Sequence, residues 1–96
     1  MNLRLSEEAR DDLRAIYSYL SERSPQAADS VVGTILKAAN GLTVFPLMGR
    51  QGEVAGTRGR VVARYPYIIV YVLEEDTVVA RILHVAQQRD AQIRAW

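Results

Sequence analysis

The side chains best suited to chemistry in this 96-residue chain sit near its C-terminal end, in the run Arg81-x-x-His84 and the polar segment that follows it. His84 is the only histidine, and histidine is the side chain that changes charge near neutral pH, which suits it to general acid or base work. Arg81 carries the planar fork that pairs bidentately with phosphate or carboxylate. On a strand, however, side chains alternate faces. His84 then lies with Val78, Ala80 and Ile82, and Arg81 with Val79, Leu83 and Val85 on the other side. The two cannot aim at one phosphate without a bulge. Two readings of His84 remain open: a proton carrier, or a strand-end residue hydrogen-bonded to backbone or packed under a helix.

The elements that position these residues are legible from composition. Tyr67 to Leu73 is unbroken β-branched and aromatic sequence, and Val78 to Val85 is a second such run after the acidic turn Glu74, Glu75, Asp76, so the two form a hairpin. Apolar on both alternating faces, Tyr67 to Leu73 is expected to be the central strand. Arg60 to Tyr65 reads as a third strand, set off by Pro66, with Arg60 and Arg64 on one face as a basic ridge or a solvated one. Asn2 to Leu5 is short and apolar at alternate positions, which fits an edge strand.

Two helices cover the sheet. Ala9, Leu13, Ile16, Tyr17 and Leu20 fall on one helical face behind the N-cap Ser6, with Glu7 and Glu8 in the first turn, where the helix dipole favours acid. Tyr17 is therefore expected in the core and Tyr19 at the surface. Ser24 followed by Pro25 starts a second helix, carried by Ala28, Val31, Val32, Ile35, Leu36, Ala39 and Leu42 up to Phe45 and Pro46. The short link predicts an antiparallel helical hairpin. Gly49 to Gly59 holds four glycines in eleven residues and reads as a loop, with Arg58 exposed in it. The expected architecture is α+β: a helical hairpin packed on a mostly antiparallel twisted sheet, followed by a short tail or helix, in one domain spanning 1–96.

Composition narrows the function classes. No cysteine means no disulfide framework and no thiolate metal site, and one histidine cannot build a zinc site alone. No run approaches the roughly 20 apolar residues of a membrane span, and the start MNLRLSEEARDD lacks the apolar core of a signal peptide, so the cytoplasm is expected. A formal net charge of +1 argues against broad electrostatic attachment to nucleic acid, although eleven of the twelve basic residues are arginine. In the tail AQQRDAQIRAW, Ile93 and Trp96 at i, i+3 form one apolar patch, which docks either on a partner or on the domain itself.

Three motifs in this order resemble a known family. Phe45, Pro46 and Gly49 follow the second helix, Tyr67-x-x-x-Tyr71 lies on the central strand, and Arg81-x-x-His84 ends the last strand. Together with the helical hairpin, they make nearly the whole chain similar to the toxin subunits of the ParE and RelE superfamily of bacterial toxin and antitoxin pairs. The resemblance implies one of two functions. RelE-like members are ribosome-dependent endoribonucleases that cut mRNA, a reaction needing a base or acid near the ribose 2′-hydroxyl and cations to stabilise charge on the phosphate. ParE-like members instead bind DNA gyrase. The ribonuclease branch commonly carries a basic residue after the first tyrosine of the central strand, a Lys and Arg pair after the last strand, and a tyrosine further on. This chain has Ile68, Gln87 with Gln88, and Arg94 at those places.

The resemblance therefore implies a ParE-like toxin that inhibits gyrase, blocks replication and is neutralised by a ParD-like antitoxin, a segment of which folds on the toxin. Nucleic acid would be met only indirectly, through the antitoxin complex, and no membrane is involved. The alternatives are a RelE-like ribonuclease and a family member that binds its antitoxin without harming the cell. On the leading reading no residue is catalytic, no metal or cofactor is held, and partner binding is expected from Tyr67, Tyr71, Arg81, His84, Gln88, Arg89, Ile93 and Trp96.

Overall fold

The structure, a computed structural model, describes residues 1–84. In chain order the elements are β1 (Asn2–Leu5), α1 (Glu7–Ser21), α2 (Pro25–Gly41), β2 (Arg50–Gln51), β3 (Thr57–Val61), β4 (Tyr67–Glu74) and β5 (Thr77–His84). They form a five-stranded sheet in the order β1-β5-β4-β3-β2, with the helical hairpin on one face. Only the β1–β5 pair is parallel.

Both helices start where a serine supplies the missing acceptor. Ser6 Oγ accepts from the Ala9 amide at 3.1 Å, and Ser24 Oγ from the Ala27 amide at 3.2 Å, with Pro25 in the first turn of α2. Ser6 also fastens α1 to the sheet, since its amide and its hydroxyl both donate to the Ala80 carbonyl, at 3.1 and 3.0 Å. That carbonyl lies opposite Leu5, where β1 ends.

As expected, β4 is the central strand. Ile69 and Tyr71 face the helices and pack with Ala9, Leu13, Val31, Ile35, Ala39 and Leu42, joined from β5 by Val78, Ala80 and Ile82. Ile68, Val70 and Leu83 form a second buried cluster on the opposite face.

Four expectations change at this level. The third strand is not Arg60 to Tyr65 but Thr57–Val61, because pairing with β4 continues back through Gly59 to Thr57, whereas the chain beyond Val61 turns. The Val62 amide donates to the Tyr67 carbonyl at 2.9 Å, and Arg64 takes a left-handed φ of 74°. Arg64 thus leaves the face of Arg60, and no two-arginine ridge forms. The glycine-rich stretch is likewise more ordered than a plain loop. Arg50 and Gln51 pair with Gly59 and Arg58, and Gly56, at φ 85°, makes the turn between the strands.

The second helix stops at Gly41, short of Phe45. Weaker turns carry the chain on, because Pro46 lacks a donor and disfavours a helical Phe45. Finally, Tyr17 is not core. It is 41% exposed, and its hydroxyl reaches across the hairpin to donate to Asp29 at 2.9 Å, which raises the phenol's pKa.

Candidate functional site

Tyr67 and His84 are brought together by register. They face each other across the β4–β5 ladder with ring centroids 5.8 Å apart and planes at 86°, an edge-to-face pair. Both line an open depression of about 290 Å³ between α1 and the sheet end, together with Asp12, Ala15, Ile16, Tyr19 and Ile82. His84 is exposed there.

Arg81 reaches the rim of the same region by an unexpected route. Its place opposite Val70 puts it on the sheet face away from the helices, as strand alternation requires. Yet β1 ends at Leu5, opposite Ala80, and beyond that point no described strand pairs with the outer edge of β5. The Arg81 side chain folds round this edge to place a guanidinium nitrogen 3.6 Å from an Asp12 carboxylate oxygen on α1. Burial pushes the Asp12 carboxyl above its usual range, against the opposing pull of the Arg81 charge and the Ile82 amide. Asp12 Oδ2 and Arg81 Nε are buried and make no hydrogen bond among the described residues. The pair is a loose one.

This arrangement limits what the depression can catalyse. Among the described residues its walls carry one imidazole, two phenols and a carboxylate paired with an arginine, and no lysine or arginine lines it. Phosphodiester cleavage needs cationic stabilisation of the phosphate in addition to a proton carrier. Ile68, next to Tyr67, is 3% exposed and points to the other face. Among the described residues no group of three His, Cys, Asp or Glu is placed to hold a metal ion.

Tyr71, expected at a partner surface, is instead entirely enclosed. Its hydroxyl donates to the Pro46 carbonyl at 2.7 Å and accepts from the Gly49 amide at 2.9 Å. Arg58, its neighbour across the β3–β4 ladder, grips the same turn. One of its guanidinium nitrogens donates to the Gly49 carbonyl at 2.8 Å and to the Leu47 carbonyl at 3.3 Å. The Tyr-x-x-x-Tyr spacing thus divides two jobs between residues on one face: Tyr67 lines the depression and Tyr71 holds a turn. Gln87, Gln88, Arg89, Ile93, Arg94 and Trp96 lie outside the described residues.

Sequence reasoning missed Asp12 and the turn that Tyr71 holds. Asp12 had a signal: it sits three residues after Ala9 and four before Ile16, an acid on the helix's apolar stripe. The turn Val44 to Met48 was legible as a turn, but not as one that exposes its apolar side chains.

Comparison with known proteins now bears on the identity of this fold. Residues 3–89 match the family model described as ParE toxin of type II toxin-antitoxin system, parDE. The chain belongs to the ParE toxin family. The Y4kP toxin candidate of Sinorhizobium fredii (strain NBRC 101917 / NGR234) is 37% identical over 76 residues, 79% of this chain and 79% of that protein. A solved chain from the chromosomal ParDE TA system of P. aeruginosa superposes with a TM-score of 0.78 at 27% identity, covering 88% of this chain and 95% of that one. For this ParE-family chain the helical hairpin and five-stranded sheet are the family fold. No helix among its described residues is long and apolar enough to cross a membrane.

Proposed function

We propose that this chain is the toxin of a type II toxin-antitoxin pair, acting in the cytoplasm by binding DNA gyrase, disturbing its breakage and rejoining cycle and so blocking replication. A cognate antitoxin encoded beside it neutralises the toxin by forming a hetero-oligomer. The observation that carries this reading over the ribonuclease alternative is the Arg81–Asp12 pair. Arg81 starts on the sheet face opposite His84 and its guanidinium is engaged by the Asp12 carboxylate at 3.6 Å. The buried Ile68 beside Tyr67 supports the same reading, since it leaves no cation at that place. Action on a protein needs no catalytic constellation.

The test is induction of the chain alone and together with the product of the neighbouring small gene. Growth arrest with filamentation and a DNA-damage response, relieved by co-expression, is the expected result, with gyrase supercoiling inhibited in vitro. Codon-specific mRNA cuts on ribosomes would overturn it in favour of the RelE-like reading, which the open depression beside His84 favours. A harmless chain that still binds the neighbour's product would leave only an antitoxin-binding function.

A further inference from the structure

Val44, Phe45, Leu47 and Met48 are 68%, 60%, 65% and 47% exposed. With Pro46 they enclose a shallow, almost purely apolar depression of about 480 Å³. Four exposed large apolar residues within a run of five are unusual on a domain surface, and patches of this kind mark contact surfaces. Floppiness does not explain the exposure. The buried Tyr71 hydroxyl holds both ends of the Pro46–Gly49 turn, and Arg58 binds two of its carbonyls, so the backbone is fixed and the side chains are held outward. A rigid, preorganised apolar surface loses little entropy on binding.

On its β2–β3 side its surroundings are basic, while on the other side the N-terminal ammonium bonds the Thr43 carbonyl and Asn2 beside it bonds Asp76 of the acidic turn. From Gly41 to Leu73 the only acidic residue is Glu53, against Arg50, Arg58, Arg60 and Arg64. Arg50 directly follows the turn, and Arg60 lies two residues beyond Arg58 on the same sheet face. Neither Arg50 nor Arg60 makes an ion pair among the described residues.

We infer that the Val44–Met48 turn is a docking site for a segment of the antitoxin that offers two or three apolar side chains flanked by carboxylates, which meet Arg50 and Arg60. The inference rests on the toxin-antitoxin reading above and adds to it the surface and the chemistry of the contact. A second copy of the chain is a poorer occupant: its acids cluster on α1, whose apolar stripe is already buried against α2 and the sheet, and in the turn Glu74, Glu75, Asp76, which itself holds no apolar residue. Nucleic acid would use the arginines but leave the apolar turn without a partner.

The experiment uses the full chain purified with the neighbouring antitoxin, and measures exchange of a labelled antitoxin onto the toxin. Phe45→Ser with Leu47→Ser is expected to weaken binding at least 100-fold with the thermal midpoint of the chain unchanged, since neither side chain is buried. Arg50→Glu with Arg60→Glu, which leaves the apolar turn and the core untouched, is expected to weaken it about 10-fold at low salt and to reverse its salt dependence, added salt then strengthening rather than weakening binding. Should the serine variant fail to fold, the charge-reversed variant decides alone. Binding within threefold of wild type in folded variants overturns the site. So does loss of growth arrest with antitoxin binding intact, which would give the turn to the toxin's target. Labelled duplex DNA that binds the wild-type chain and is lost by the charge-reversed variant, with antitoxin binding kept, overturns it in favour of nucleic acid. A wild-type chain that neither binds the neighbour's product nor arrests growth fails in a separate arm, and sinks the toxin reading instead.

Discussion

The hydroxyl of Tyr71 occupies the space a side chain at position 49 would need: a Cβ built on Gly49 would lie 2.6 Å from that oxygen, 2.7 Å from the ring and 3.0 Å from the Gly59 carbonyl. The Gly49 amide meanwhile donates to the same oxygen. Glycine is required here for close approach, not for a left-handed backbone.

Tyr71→Phe leaves the Pro46 carbonyl and the Gly49 amide without their partner, which costs about 1–3 kcal/mol. At roughly 4–8 °C per kcal/mol for a domain of this size, the thermal midpoint should fall by about 4–24 °C. Gly49→Ala forces the phenol aside and should cost about as much as other overpacked sites, ~1–3 kcal/mol. The two changes are coupled, because removing the hydroxyl removes the nearest clash. Midpoints of both single variants and the double variant check this; losses that simply add would assign the clash at position 49 to the Tyr71 ring and the Gly59 carbonyl rather than to the hydroxyl.

The Asp12–Arg81 pair predicts a pH signature. Burial raises the Asp12 carboxyl in the folded state, so above its unfolded value the charged form weighs against folding. The folded chain then binds more protons than the unfolded one in the window above 3.8, and this group's contribution to stability improves as pH falls through it. Arg81→Met removes the cation that moderates the effect. At pH 7 it should cost about 1–3 kcal/mol, less than for a fully enclosed pair because both side chains keep some solvent contact. The loss should shrink toward pH 4. Arg81→Met with Asp12→Leu, which removes both charges, should recover most of the loss at pH 7. Denaturant midpoints at pH 7, 5.5 and 4 measure it, and a loss that grows on acidification would contradict the assignment.

The elements that could be read from the sequence are those decided by near neighbours. Ser6 and Ser24-Pro25 announce helix starts because capping is settled within three residues, and Tyr67 to Leu73 announces a central strand because both of its faces are apolar. β3 was misplaced because its composition, TRGRV, is that of a loop, and only its ladder with β4 makes Thr57 to Gly59 a strand. Alternation correctly separated Arg81 from His84, but it could not foresee that β1 stops one residue too early to block Arg81's path round the edge to α1. Tyr71 shows the same limit. Its face was legible, but the turn that encloses its hydroxyl comes from more than twenty residues upstream.

The two helix caps should differ in weight although both are serines. Ser24→Ala removes one bond to the Ala27 amide and should cost about 0.5–2 kcal/mol. Ser6→Ala loses the bond from Ala9 and also the donation to Ala80 that ties α1 to β5. It should cost about 0.5–1.5 kcal/mol more, one further hydrogen bond. Chemical denaturation of both variants ranks them, and equal losses would mean the Ser6–Ala80 contact contributes nothing.

His84 offers the sharpest separation between a surface that binds and a site that reacts. Its ring stands edge-to-face on Tyr67 at the lip of the depression, a geometry that an aromatic hydrocarbon ring can reproduce and a small side chain cannot. If His84 serves through contact area, His84→Phe should keep growth arrest and antitoxin affinity within about threefold of wild type, while His84→Ala loses roughly 0.5–1.5 kcal/mol of the ring pairing. Because the pair is intramolecular, that loss falls on the chain's own stability and lowers its thermal midpoint. If His84 instead carries a proton, phenylalanine is as inert as alanine, because neither can hold one, and both variants should abolish activity together. Dose-dependent growth arrest by the two variants at matched expression, with antitoxin exchange measured on the same proteins, distinguishes the cases: arrest lost equally in His84→Phe and His84→Ala, with antitoxin binding retained in both, would give His84 a role through its ring nitrogens, and mRNA cleavage lost in both would make that role catalytic.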